Sequence, residues 1–414
     1  MREGWKSAKL GEVSEMIKRG IAPKYIDAGG VCVINQKCIR DHSINYDLAR
    51  RHNVEVKKVP QERFIQLGDV LVNSTGTGTL GRVAQVRRDP DEPATVDTHV
   101  TIVRPVDGVF YHDFFGYMLI KIEDEIINSG EGASGQTELP RQKLENQFFV
   151  SFPESIEEQK RIVAILDEAF EGIDTVVANT ENNLANVREL FDGYLSAVFA
   201  QRGDGWVDQP LKDVCVDYGR GKSKHRPRND PMLYGGDYPF IQTGDVRKSN
   251  HVIKKYSATY NEAGLAQSKL WLEGTICITI AANIAETGIL GFDACFPDSI
   301  IGLVVDEKKA SKEYVEYLLQ SVKTVLKAKG KGSAQDNINL GTFEKEKFPF
   351  PPLVKQVEIA ANLHELSSAV SSIEAIYQQK LTALAELKQS LLQKAFSGEL
   401  TAKKAEAAVE EETA

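Results

Sequence analysis

Residues 153 to 200 recur in altered form at 351 to 400, and this repeat constrains the fold of the 414-residue chain more than any other feature. With Gln159 set against Gln356 the segments align without a gap: Ile162 meets Ile359, Leu166 meets Leu363, Leu184 meets Leu381, Leu190 meets Leu387, Leu195 meets Leu392 and Phe199 meets Phe396. Coincidence at this many positions marks a duplication. Ile173, Val177, Thr180, Leu184, Val187, Phe191, Tyr194 and Val198 alternate steps of four and three, the spacing that keeps one helical seam facing a partner helix. Leu366, Val370, Ile373, Tyr377, Leu381, Leu384 and Leu391 give the second copy a similar stripe. Ser155 and Glu158 have capping-box spacing, and Pro351-Pro352 marks the second start. Each segment therefore predicts one helix of about 45 residues, or roughly 65 Å. Gly172 and Gly193 each cost such a helix about 1 kcal/mol relative to Ala. Their counterparts Ala369 and Ser390 are also small, which reads as close approach of two antiparallel helices rather than a break.

The rest of the chain repeats more loosely. Gly4-Trp5 is followed by KLGEVSEMI and Gly205-Trp206 by PLKDVCVDY. Each half then has a short apolar stretch (VCVINQ, YPFIQTGDV), a Gly-led strand (LGDVLVNST, LEGTICITI), a turn read as TGTLG or TGILG, another strand, a short amphipathic helix (FFGYMLIKI, VEYLLQSV) and a Gly-rich loop into the long helix. The expected architecture is α+β: two globular recognition domains separated by a pair of long antiparallel coiled-coil helices, with internal pseudo-twofold duplication. Boundaries fall at 1–152, 153–202, 203–350 and 351–400, with 401–414 an acidic disordered tail. Helices that stay alike do one job twice, whereas domains that share a scaffold but differ in loops recognise different things.

The net charge of −9 argues against nucleic acid only if the acid lies at the contact surface. Part of it is in the helices and the tail, while the globular parts carry basic stretches: KCIRDHS, ARRHN, RVAQVRR, GRGKSKHRPR and KTVLKAKGKG. Five cysteines without C-x-x-C indicate neither a disulfide framework nor a zinc site. No apolar run reaches membrane-span length and the N-terminus lacks a signal-peptide core, so a cytoplasmic location is the default.

Two motifs mimic catalytic sites. Gly76, Gly78 and Gly81 spell G-x-G-x-x-G, but RVAQV after them alternates like a strand and the helix of a dinucleotide site is missing. Pro297-Asp298 with Asp306 and Lys308 imitates the PD...D-x-K of metal-dependent nucleases, yet the first copy lacks it. No catalytic constellation and no metal site emerges.

The loop into helix GASGQTELPRQKLENQFFVSFPESIEEQKRIVAIL, its copy GSAQDNINLGTFEKEKFPFPPLVKQVEIAANL, and the helix ends LFDGYLSAVFA and LKQSLLQKAFSGEL resemble the DNA specificity subunit of type I restriction-modification systems, over nearly all of residues 1–400. The resemblance implies a non-catalytic reader of a bipartite asymmetric DNA site. The resemblance also implies no cofactor in this chain, with two modification subunits that would bind S-adenosylmethionine and methylate adenine and restriction subunits that would translocate and cut. The first copy departs from the family's paired prolines, with FPESIEEQ where the second has PPLVKQ.

Base reading needs Arg, Asn or Gln, and phosphate contact needs Lys or Arg, on loops. The candidates are Asn73, Ser74, Thr75, Arg82, Arg87, Arg88, Ser134 and Gln136 in the first domain, and Arg220, Lys222, Lys224, His225, Arg226, Arg228, Lys331 and Gln335 in the second. Gln136 and Gln335, common to both copies, fit loop fixing better than two different specificities. Leu190, Leu195 and Phe199 with Leu387, Leu392 and Phe396 form the expected docking face for the modification subunits. The alternatives are a stand-alone nuclease built on Asp298, Asp306 and Lys308, or a coiled-coil scaffold that does not bind DNA.

Overall fold

The computed structural model describes residues 4–132, 137–225, 227, 229–281, 283–323 and 346–402. Both long helices form, Ile156–Ala200 and Leu353–Ser397, each of 45 residues. Ser155 Oγ accepts the Glu158 amide (3.4 Å), but the Glu158 carboxylate accepts Thr401 Oγ1 instead of turning back to close a capping box. The space beside Gly172 and Gly193 is open, so close helix approach is not the reason for these glycines.

The chain divides into two compact units whose limits fall within the helices: Met1–Thr180 with Gln379–Ala414, and Glu181–Gln378. The domain limits expected from the sequence separate globular parts from helices, whereas each compact unit joins a globular part to a segment of both helices.

In unit 1 an antiparallel sheet runs in the order Ser14–Arg19, Val100–Pro105, Val70–Asn73, Val83–Gln85. A second sheet orders Ala94–Val96, Val31–Ile34, Arg50–His52 and Tyr25–Ile26, with its first pair parallel. Trp5–Lys9 pairs antiparallel with Phe149–Pro153 at the entry to the long helix. The helix His112–Lys121 is buried from Phe114 through Ile120, so it is a core helix and not the amphipathic one expected. Ile162, Leu166, Leu392 and Phe396 join its core, and the Phe114 and Phe396 rings lie 5.1 Å apart. Asp174 pairs with Lys388 while Glu158 meets Thr401, so the two helix segments of this unit run antiparallel.

Unit 2 repeats the plan. Its antiparallel core sheet orders Cys215–Arg220, Ile300–Val305, Ile276–Thr279, Thr287–Leu290, with Val252–Ile253 added parallel at the edge. The TGILG stretch thus lies largely within the strand Thr287–Leu290 and is not the counterpart of the turn at 77–81. Leu195, Phe199, Ala360 and Leu363 join this unit's core, with Phe199 5.2 Å from Tyr314. Arg188 pairs with Glu374 (2.5 Å) across the helix segments. Tyr194 and Ile373, assigned above to the seams, are exposed at 48% and 39%.

This arrangement corrects the expected docking face. Leu195, Phe199, Leu392 and Phe396 are 2–8% exposed because each completes the core of its own unit. Only Leu190 and Leu387, at 73% and 46%, stay outside.

Gln159 and Gln356, the anchors of the repeat, do the same work in both units. Gln159 is fully buried; its Oε1 accepts the Tyr111 amide (2.8 Å) and its Nε2 donates to the carbonyls of Val109 (3.2 Å) and Pro153 (2.9 Å). Gln356 accepts the Ser311 amide (3.0 Å) and donates to Pro351 (2.8 Å) and Lys309 (3.4 Å). Tyr111 and Ser311 are the N-cap residues of the two core helices. Each glutamine therefore gives an N-cap amide the acceptor that a capping box takes from its own helix.

Candidate nucleic-acid interface

In unit 1 the loop after Val70–Asn73 begins with two polar side chains turned inward. Asn73 and Ser74 are fully buried; Asn73 Nδ2 donates to the Gln36 carbonyl (3.1 Å), and the Ser74 and Thr101 hydroxyls lie 2.5 Å apart. Both close the end of the sheet and neither reaches solvent, which removes them from the DNA candidates. Thr75 stays at the surface, with Oγ1 2.7 Å from His99 Nδ1. It lines a cleft of about 540 Å³ with Gln36, Gly76, His99, Glu131 and Glu138. Gly76 has φ +108°, and a Cβ there would stand 2.5 Å from Gln36 Oε1, so this wall requires glycine. Lys143 and Arg19 neutralise Glu131 and Glu138, each at 2.7 Å. The amide, hydroxyl and imidazole that remain combine donors and acceptors in the way base edges require. Sequence reading missed Gln36 and His99, which look like the end of one strand and the start of another.

The unit 1 arginines divide. Arg82 donates to the Gly78 carbonyl (2.8 Å) and fixes its own turn. Arg87 pairs with Asp167 (3.1 Å) and Asp113 (3.8 Å) and lies 4.8 Å over the Tyr117 ring, so it fastens the sheet to the helices and is no free phosphate ligand. Arg88 is exposed, in a second cleft whose wall includes Asp47, Asp91 and Glu92. Ser134 and Gln136 lie outside the described residues.

In unit 2 the basic loop follows Cys215–Arg220. A Cβ on Gly221 would stand 2.2 Å from the Phe296 carbonyl, so the chain turns tightly there before Lys222. Gln267 Oε1 accepts the amides of Lys224 (2.6 Å) and His225 (3.1 Å), and Ser268 Oγ donates to the Lys222 carbonyl (2.8 Å). The backbone is pinned while Arg220, Lys222 and Lys224 remain exposed, an arrangement suited to phosphate contact. His225 Nε2 lies 2.9 Å from Asp230. The Met232 amide and this imidazole hold the Asp230 carboxyl below its ordinary range. Arg226, Arg228, Lys331 and Gln335 lie outside the described residues.

The mimicking motifs take ordinary structural places. A strand, Val83–Gln85, follows the G-x-G-x-x-G. Asp298 and Asp306 flank the six-residue strand Ile300–Val305, roughly 20 Å apart at about 3.3 Å per residue, too far to share a metal. Among the described residues no three His, Cys, Asp or Glu side chains gather as metal ligands, and no helix is long and apolar enough to cross a membrane.

A duplicated α+β scaffold, with a polar cleft on one copy and a pinned basic loop on the other, is that of a two-part recognition protein. The model of the type I restriction modification DNA specificity domain matches residues 2–185 and again 203–383, and the chain belongs to this family of specificity subunits, whose role is DNA sequence recognition. The chain is 34% identical to the EcoBI specificity subunit of Escherichia coli over 398 residues, covering 82% of this chain and 80% of that protein. It is 25% identical to the StySPI specificity subunit of Salmonella potsdam over 272 residues, covering 60% of this chain and 57% of that protein. Two solved structures share the fold. One, from work on complex assembly and conformational transition of the type I R-M system, has a TM-score of 0.78 at 19% identity, covering 97% of this chain and 99% of that one. The other, the HsdS subunit from Thermoanaerobacter tengcongensis, has a TM-score of 0.55 at 20% identity, covering 97% and 98%.

Proposed function

We propose that each unit reads one half of a bipartite, asymmetric DNA site and that the chain directs chemistry performed by other subunits. The observation that carries this is that one scaffold, held by the same buried glutamine in both copies, presents different surface chemistry on each: Gln36, Thr75 and His99 in unit 1, and Arg220, Lys222 and Lys224 in unit 2. A duplication kept for scaffolding alone gives no reason for that divergence. In this reading two modification subunits bind S-adenosylmethionine and methylate adenine, restriction subunits translocate and cut, and this chain, in the cytoplasm, catalyses nothing. Leu190 and Leu387 each belong to a partner-facing helix surface of their own unit.

The test replaces residues 1–152 with the corresponding part of another specificity subunit and sequences methylated adenines in cells that carry the modification partner. One half of the motif should change and the other stay. A change in both halves refutes separate reading, and DNA cutting by the purified chain with magnesium refutes the division of labour.

A further inference from the structure

A second basic surface in unit 2 lies outside the basic stretches GRGKSKHRPR and KTVLKAKGKG. The short helix Thr243–Lys248, residues 249–251 and the strand Val252–Ile253 lead into Lys254, Lys255, Tyr256 and Ser257. Lys248, Lys254 and Lys255 are exposed and line one cleft of about 550 Å³ with Ser249, Asn250 and Ser257.

Two properties separate this cleft from an ordinary solvated face. First, none of these three ammonium groups has an ion-pair or hydrogen-bond partner among the described residues, whereas Lys269, Lys312 and Lys323 of the same unit each pair with a carboxylate at 2.6–2.9 Å. The acid in the cleft wall, Asp245, is engaged by the Gln242 amide (2.8 Å) and Ser257 Oγ (3.0 Å). Second, the segment that carries the lysines is fixed from beneath. His251, in the left-handed region at φ +65°, is buried with Nδ1 2.6 Å from the fully buried Glu316, and it stacks on Tyr317 at 4.6 Å. Thr287 and Gln320 donate to the same carboxylate (2.7 and 2.6 Å), and Asn250 Nδ2 donates to Ser371 (2.9 Å). Val246 and Ile253 are buried, and Gly288 gives the segment room, since a Cβ there would stand 2.7 Å from Ser249 Oγ. Unit 1 has Gly116 on its core helix at the position of Glu316 and lacks this anchor.

We infer that the Lys248, Lys254 and Lys255 cleft binds the phosphodiester backbone of duplex DNA and sets the register of unit 2 on its half-site. This rests on the DNA-reading function proposed above. Ser249 and Ser257 spend their hydroxyl protons on Val246 and Asp245, so the ligand donors are the three unpaired ammonium groups, which on a rigid support are suited to phosphate oxygens that position a protein without specifying sequence. A protein partner fits less well, because Lys is depleted at the cores of protein interfaces, where aromatic side chains and Met are enriched.

The experiment measures duplex affinity against KCl concentration for the chain assembled with its modification subunits, using a duplex that carries its methylation motif. K248Q/K254Q/K255Q should lower the slope of log Kd against log salt by ~2–3, at ~0.9 for each phosphate no longer neutralised, with the methylated motif unchanged. The triple arginine variant should keep the wild-type slope. An unchanged slope in the glutamine variant, with specific binding by the wild type intact, overturns this site and leaves DNA reading standing. Loss of co-purification of the glutamine variant with the modification subunits makes the surface a protein interface and likewise overturns it. Failure of the wild-type complex to bind any duplex overturns the functional reading together with the site.

Discussion

Substituting Gln159 by Ala removes the acceptor of the Tyr111 amide and the donor to two carbonyls in a place with no solvent exposure. A buried polar group left unpaired costs about 1–3 kcal/mol, and three groups set the upper limit. The carbonyls each retain a second lone pair and the space left admits some relaxation, so about 3 kcal/mol is the working figure, or roughly a hundredfold in local opening. Amide hydrogen exchange of the full chain, read at Tyr111 and along His112–Lys121, is the assay, because a two-unit chain need not unfold in one step. Q159A should raise exchange there and leave Ser311 unaffected; Q356A should do the reverse, more weakly, since its contact with Lys309 is already 3.4 Å. Q159E is the discriminating variant. It keeps an acceptor for Tyr111 but turns a carboxylate oxygen toward two carbonyl oxygens, so it should be worse than Q159A at neutral pH and recover as acid protonates it. If Q159E is no worse than Q159A, or if Q159A leaves exchange at Tyr111 unchanged, the glutamine is not the clamp its geometry describes.

Phe199→Ala and Phe396→Ala should each destabilise their unit by about 3–5 kcal/mol in denaturant unfolding, whereas Leu190→Ala and Leu387→Ala should leave stability nearly unchanged and weaken assembly with the modification subunits. Arg87→Ala should loosen unit 1 without changing the salt slope of DNA binding, because its charge is spent on Asp167 and Asp113, while K222Q/K224Q should lower that slope by ~2. Burial raises all five thiols, Cys215 to about 12, so alkylation of the native chain near neutral pH, followed by mass spectrometry, should leave them unlabelled until denaturant is added.

The parts of the fold legible in the sequence are those encoded locally. A stripe at steps of four and three needs no tertiary information to specify a helix, and Ile156–Ala200 and Leu353–Ser397 follow from it. The destination of each apolar residue does not. Leu190 and Leu195 read alike, yet Leu190 faces out and Leu195 enters a core, because the globular part that receives Leu195 follows it in the chain. Residue type misled at the candidate site. Asn73 and Ser74 look like loop donors and instead close a sheet end, and sequence reading missed RKSNHVIKK at 247–255, as basic as KCIRDHS, although its lysines 248, 254 and 255 line one cleft. The shared letters TG-x-LG marked a turn in one copy and a strand in the other.

The swapped packing also limits how freely a recognition domain can be exchanged. The core of unit 1 needs Phe396 from the end of the second helix against Phe114, and that of unit 2 needs Phe199 against Tyr314. A grafted domain must therefore bring an aromatic residue at the Phe114 position and the N-cap amide that Gln159 accepts, whatever its loops contain. This accounts for helix ends and glutamines that remain alike in the two copies while the loops do not. The features that hold a domain on its helices meet equivalent positions in both units, whereas the loops that carry Thr75 and Lys222 are held by residues of their own unit, His99 in one and Gln267 and Ser268 in the other, and can differ.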